Sequence, residues 1–303
     1  VSARLKDRVI VVTGAANGIG NALALALAAE GAALVLVDID ADGLSALRRT
    51  FGGDGLKASV VRADVRDAAA LEELARHAVA TFGRVDAVVN CAGVIVPGAI
   101  DTCPAEDITR QLDTNLGGTI KVTRAFLPQF KRQGSGHLVL IASLAGMVPI
   151  PGESIYAASK FAVRGFAHSI AHELRGTGVQ VTVVCPDSTR TRMLEIEARD
   201  DGSSLSFSSA AMEPEEVARA IVGALRRPRL EVTVPGLRGR VIRSLGAMPV
   251  VFGWLYPLID AMGRRRKERY RQTLSLLTSA GAARIPSAAP PPGDSARSSP
   301  TGA

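Results

Sequence analysis

The chain has 303 residues, 47% hydrophobic and 21% charged, which suits a substantial buried core and excludes a largely disordered protein. Its formal net charge of +7 is local: residues 226–271 carry twelve Lys and Arg against three acidic residues, a balance of +9, and everything else sums to −2. That concentration argues against a general nucleic-acid-binding surface, and no nucleic-acid partner is expected.

The opening VSARLKDRVIVVTG runs from a few charged residues straight into a strand-like stretch, so no signal peptide is expected. Short runs rich in Val, Ile and Leu then alternate with helical patterns. The runs cover 8–14, 32–40, 58–65, 85–93, 136–143, 179–186 and 230–235. They are β-branched, uncharged inside and bounded by Gly, Asp or Pro, as strands buried on both faces should be. Helical patterns at 21–31, before Gly31, and at 67–83 separate the first of them. The alternation implies an α/β fold: one doubly wound, Rossmann-like parallel sheet in a single domain over 1–240, with helices on both faces. Residues 187–211 read as a long Ser-rich loop, functional or mobile. Cys91, Cys103 and Cys185 have neither paired nor zinc-type spacing, which suggests reduced thiols in a cytoplasmic protein. The histidines form no metal set, and His168 with His172 reads as a helix-surface pair.

The first run leads into Thr13-Gly14-Ala15-Ala16-Asn17-Gly18-Ile19-Gly20 and then a helix. Such a loop presents unpaired amides and the positive end of a helix dipole to a pyrophosphate. Asp38, 24 residues after Gly14, closes the second run, where an acid can accept hydrogen bonds from ribose hydroxyls. A carboxylate there repels a 2′-phosphate, and no Lys or Arg stands in the loop or directly after Asp38. NAD is therefore expected rather than NADP.

With these residues in view the chain resembles the short-chain dehydrogenase/reductase family over roughly residues 5–235. TGAANGIG resembles the family's TGxxxGxG loop, with Gly14, Gly18 and Gly20 at the glycine positions. Asp64, followed by Val65, resembles the acid that contacts the adenine, and Asn90-Cys91-Ala92-Gly93 resembles the NNAG segment. Asn115, Ser143, Tyr156 and Lys160 fall where the family keeps its catalytic group. The resemblance implies a cofactor set of Thr13, Gly14, Asn17, Gly18, Ile19, Gly20, Asp38, Asp64, Val65, Asn90, Ala92, Gly93, Tyr156, Lys160, Pro186, Thr189 and Thr191. Two departures stand out: Cys91 replaces the second Asn, and Pro186-Asp187 replaces the usual Pro-Gly, with Thr189 or Thr191 available for the carboxamide contact.

The residues themselves suit carbonyl–alcohol chemistry. A phenol has a pKa of about 10, and a nearby ammonium favours the phenolate. Four-residue spacing puts Tyr156 and Lys160 on one helix face. Tyr156 is thus expected to have a lowered pKa and to act as acid and base. Ser143 ends a strand at the ligand-binding edge and is expected to bond the substrate oxygen. The family resemblance implies that Asn115 holds a water linking Lys160 to solvent. Apolar segments at 146–151 and 193–194, with Phe207, suggest a lipophilic alcohol or ketone, such as a steroid, retinoid or fatty acyl derivative, with Ser143, Met147, Tyr156 and Met193 touching it. Two other readings remain open: a catalytically silent NAD-binding regulator and a membrane-surface scaffold. A homodimer or homotetramer is expected.

Beyond the seventh run lies an apolar and basic extension, 241–271. LGAMPVVFGWLYPLIDAMG (245–263) has one charge, Asp260, and basic flanks. Pro249, Pro257 and three glycines argue against a transmembrane span. The segment either contacts a membrane surface peripherally or packs on the pocket or a neighbouring subunit. Residues 272–303 are expected to be a disordered tail, most clearly over Pro/Ser/Ala-rich 286–303.

Overall fold

The computed structural model describes residues 5–51 and 57–282; the tail expected over 286–303 lies outside the described residues. All seven apolar runs are strands: β1 Val9–Thr13, β2 Ala33–Asp38, β3 Ala58–Arg62, β4 Ala87–Asn90, β5 Gly136–Ile141, β6 Val179–Pro186 and β7 Glu231–Val234. They pair in parallel in the order β3-β2-β1-β4-β5-β6-β7.

The two-residue strand period sends alternate side chains into two helical layers. Along β1, Val11 joins a core with Leu71, Phe126 and Val163, while Ile10 and Val12 join one with Leu23, Leu44 and Ile221. The first layer comprises α3 Ala68–Phe82, α5 Gly118–Gln133 and α6 Ser154–Glu173; the second comprises α1 Gly18–Ala29, α2 Ala41–Phe51 and α8 Pro214–Arg226. Local signals fix the helix ends. Asp67 caps α3 by accepting from the amides of Ala69 and Ala70 at 2.9 and 3.1 Å, and Gly83 ends it with φ +77°. Strand order reverses at β1, between β2 and β4, and this leaves a crevice at their carboxyl ends where such sheets take ligands.

Two stretches differ from the sequence reading. Residues 187–211 are not simply a loop: they contain α7 Arg192–Arg199 and a 3₁₀ turn, Leu205–Phe207. Leu194 and Ala198 hold that helix by packing with Phe207 in a small core of their own. The extension forms α9 Gly236–Gly246 and α10 Pro249–Ala282. The second passes through Pro257 and runs beyond residue 272, where a tail was expected. Tertiary packing overrides the breakers: Phe252, 5% exposed, joins Val148 and Leu205 in a buried cluster against which Leu245 and Ile259 pack. The extension thus covers the body of the protein with one face. No helix among the described residues is long and apolar enough to cross a membrane.

Candidate active site

The glycine loop joins β1 to α1 at the crevice. Gly20 must be glycine for space: a Cβ there would stand 2.0 Å from the Gly14 carbonyl oxygen. Gly18 has φ +53°, and a Cβ on it would meet Thr191 Cγ2 at 2.9 Å, so the segment after β6 closes directly on the loop. Asp38 ends β2, where its Oδ2 accepts from Ala16 N at 2.9 Å and its Oδ1 from Ile39 N and Asp40 N at 2.8 and 3.0 Å. The carboxylate therefore braces the loop from within. Asn17 precedes α1 and donates to Asp40 Oδ2 at 3.3 Å. This cradle of unhindered amides, with an acid at its far side, fits a dinucleotide.

Other residues expected around the cofactor have first a structural task. Thr13 Oγ1 donates to Asn90 Oδ1 at 2.5 Å and accepts from Ala92 N at 3.3 Å, which ties β1 to β4. Asn90 Nδ2 donates to Thr119 at 2.7 Å. The Arg66 guanidinium pairs with Asp64 at 2.7 Å, and its hydrogen bonds hold the carboxyl below its ordinary range. Val65 packs in the core.

Tyr156 and Lys160 lie on α6, 7% and 4% exposed. The Lys160 ammonium donates to the Ile141 carbonyl at 3.0 Å and lies 5.5 Å from the centroid of the Tyr156 ring. Burial lowers Lys160 to about 8. The phenol is raised, not lowered as the spacing suggested. Burial dominates, Glu197 and Glu153 add negative charge beside it, and only a hydrogen bond with Ser143 opposes them. Ser143 accepts from Ala145 N at 3.1 Å. Asn115 stands in a π turn, Asp113–Gly117, between α4 Ala105–Leu112 and α5. Its amide bonds Val94 N at 2.8 Å, Val94 O at 2.9 Å and Ser159 Oγ at 3.0 Å, so its side chain is a brace for the segment after β4.

These groups surround a cavity of about 330 Å³. Its wall includes Ile19, Gly93, Ser143, Tyr156, Lys160, Pro186, Thr189, Thr191 and Met193, so three of the four expected catalytic residues meet part of the expected cofactor set there, while the rest of the glycine loop, Asp38, Asp64 and Asn115 lie outside its wall. Met147 does not belong with them: it is 3% exposed and packs with Leu144 and Val163 in the main core. Phe207 likewise packs against Tyr270, at 5.5 Å between ring centroids, while Val148 and Ile150 supply the apolar wall instead. The Pro186-Asp187 departure has a local reason. Asp187 pairs with Arg238 of α9 at 2.5 Å and accepts from Ser209 at 3.0 Å, which fastens the extension to the segment after β6.

Comparison with known proteins agrees with this architecture. The family model described as short chain dehydrogenase matches residues 8–202. A protein of Mycobacterium tuberculosis named as an oxidoreductase, SadH, is 36% identical over 267 residues, covering 85% of this chain and 95% of that protein. The chain belongs to the short-chain dehydrogenase/reductase family. Oxidoreductase UcpA of Salmonella typhimurium is 39% identical over 197 residues, 65% of this chain and 74% of its own. A short-chain dehydrogenase/reductase from Burkholderia phymatum, solved in complex with NAD, superposes with a TM-score of 0.74 at 27% identity, covering 80% of this chain and 93% of that one. A short-chain dehydrogenase from Streptomyces avermitilis gives 0.70 at 26% identity, covering 83% and 96%. As a short-chain dehydrogenase/reductase, the protein is an oxidoreductase that uses a nicotinamide dinucleotide.

Three site residues escaped the sequence reading. Glu153 and Glu197 line the cavity, and Lys267 of α10 is buried near them. Glu153 carried a signal: it is a lone charge in an apolar stretch, one turn before Tyr156. Nothing local marked Glu197 or Lys267, which tertiary folding brings in.

Proposed function

We propose that this short-chain dehydrogenase/reductase interconverts a secondary alcohol and a ketone on a largely apolar substrate, using NAD in preference to NADP. Tyr156 moves the proton. The observation that carries the reading is the buried Tyr156 phenol on the wall of the same cavity as Ser143, Lys160, Thr189 and Thr191. The dinucleotide, when bound, exchanges hydride with the reacting carbon. In reduction Tyr156 gives its proton to the carbonyl oxygen, and in oxidation it takes the hydroxyl proton. Ser143 orients that oxygen, and Lys160 and Asn115 hold the phenol's surroundings in register. Asp38 supports the NAD preference because its carboxylate repels a 2′-phosphate. Arg62, which pairs with Asp38 in the sheet register, gives its Nε to the Ile39 carbonyl at 3.3 Å. A screen of apolar alcohols and ketones with NAD and NADP in parallel tests substrate and cofactor together. Tyr156→Phe should lower turnover by roughly a thousandfold or more and leave NADH affinity within about twofold. Retained turnover would refute the role of Tyr156, and NADH binding with no turnover of any substrate would favour the silent regulator.

A second reading concerns the outward face of α10. Val250, Trp254, Leu258 and Met262 recur at four-residue spacing and are 67%, 80%, 63% and 45% exposed. Arg265 and Arg269 continue the same stripe, both exposed. An apolar stripe ending in cations fits peripheral contact with an anionic membrane surface.

A further inference from the structure

Two carboxylates share the cavity wall with Tyr156: Glu153, immediately before α6, and Glu197 of α7. They are 2% and 7% exposed, a depth that carboxylates rarely reach without a partner. Val148, Ile150, Leu245, Phe252 and Ile259 give the same cavity an apolar wall, and Ser206 and Ser208 lie on it as well. Ser206 Oγ donates to Glu153 Oε1 at 3.1 Å. The charge of Lys267 on α10 lowers both acids from a distance, and the residue is itself 3% exposed. Its ammonium has no hydrogen-bond partner among the described residues and lies 5.6 Å from the Phe207 ring centroid. Two buried acids on a cavity wall, with a buried lysine nearby, add little to apolar packing. They are the kind of polar group by which a pocket orients a ligand.

We propose that Glu153 and Glu197 form a polar subsite for a second hydroxyl on an otherwise apolar substrate, so that the substrate is a diol, or the hydroxyketone related to it. The inference rests on the alcohol–ketone reading above. The choice of a hydroxyl follows from charge. Burial raises both acids, and the charge of Glu153 raises Glu197 further, which favours a proton held between them. One carboxyl, one carboxylate and the Lys267 ammonium carry no net charge. That arrangement matches a neutral group that both donates and accepts, and gives no reason to select an ammonium. The second hydroxyl is bound and not transformed; the hydride and the proton leave only the carbinol at Tyr156. An analogue lacking it would leave part of the acids' hydrogen-bonding capacity unmet, which is how such pockets reject deoxy substrates.

The test is NAD-linked oxidation of 2-octanol beside 2,3-, 2,4- and 2,5-octanediol and 4-amino-2-octanol. At least one diol should exceed 2-octanol in kcat/KM by roughly tenfold or more. Glu153→Leu and Glu197→Leu should each erase most of that ratio, with NADH titration reporting that the variants fold. The ratio separates recognition from support, since a purely structural role would lower both substrates alike. The wild-type comparison needs no variant at all. The subsite is overturned if 2-octanol matches every diol, if the preference survives both substitutions, or if the amino alcohol is favoured over the diols. If NADH binds and none of the five is oxidised, the alcohol–ketone reading falls, and the subsite with it.

Discussion

A phenol buried beside carboxylates holds its proton more tightly than one in water, because burial and like charge both disfavour phenolate. Tyr156 is in that position, with Glu197 and Glu153 pushing in the direction of burial. Below the raised value it carries a proton, ready for ketone reduction. Oxidation, which needs the basic form, should therefore climb through the alkaline range while reduction stays flat across neutral pH. Replacing Glu197 with Gln removes negative charge from the phenol's surroundings, so the alkaline rise should move about one pH unit lower. A pH–rate profile that stays put or moves higher would show that Glu197 is not felt at Tyr156. Asp38 allows a second check on a single charge. Asp38→Ser removes the repulsion toward a 2′-phosphate and leaves Arg62 across the register, so the NADP-to-NAD ratio of kcat/KM should rise by roughly tenfold. An unchanged ratio would mean that cofactor choice lies elsewhere.

Between elements, Glu231 is the main electrostatic joint. It projects from β7 with its side chain 9% exposed, and pairs with Arg164 and His168 of α6 at 2.6 and 3.0 Å and with Arg243 of α9. Burial alone would raise this carboxyl, but Arg164 and Arg243 outweigh it and hold it below its ordinary value. A depressed folded value means the joint contributes fully above the unfolded carboxyl's pKa and is lost as pH falls through the lower, folded one. Glu231→Gln should cost about 1–3 kcal/mol, less than a fully buried pair because the arginines are partly solvated. Its stability difference from wild type should shrink on acidification, and thermal melts at neutral and acid pH measure both quantities; a constant difference would contradict the assignment. His168, read in the sequence as a surface residue, belongs to this joint, since its partner lies 63 positions away. The same distinction separates what was legible from what was not. Strands buried on both faces are written as unbroken β-branched runs, and a glycine forced by a 2.0 Å contact stands out in any loop. Met147 and Val148 look alike in sequence, yet one enters the core and the other the cavity, because direction along an irregular turn has no periodicity to read. Glu197 and Lys267 come into each other's neighbourhood only through packing of α7 and α10, and α10 carries a proline and glycines that read as breakers.

For the whole molecule, the two faces of α10 meet different surroundings. Phe252 and Ile259 line the cavity, and Asp260 is held by Ser204 and by Arg264 at 2.8 Å, so the inner face belongs to the catalytic body. The outer stripe from Val250 to Met262 then leaves apolar area in water, which a protein rarely tolerates without a use. Two candidates cover it: an anionic bilayer or a second copy of the chain. Pairing copies here would bring together two regions that each carry a balance of +9, which favours the bilayer. Trp254 lies in the middle of the stripe and is the chain's single tryptophan, so its emission reports directly on what covers it. Anionic vesicles should shift that emission to the blue, zwitterionic vesicles much less, and added salt should weaken the effect. Val250→Asp with Leu258→Asp should abolish the shift and leave the melting temperature unchanged, because neither side chain belongs to the core. A blue-shifted emission without vesicles that depends on protein concentration, together with a doubled mass in solution, would assign the stripe to a subunit contact instead.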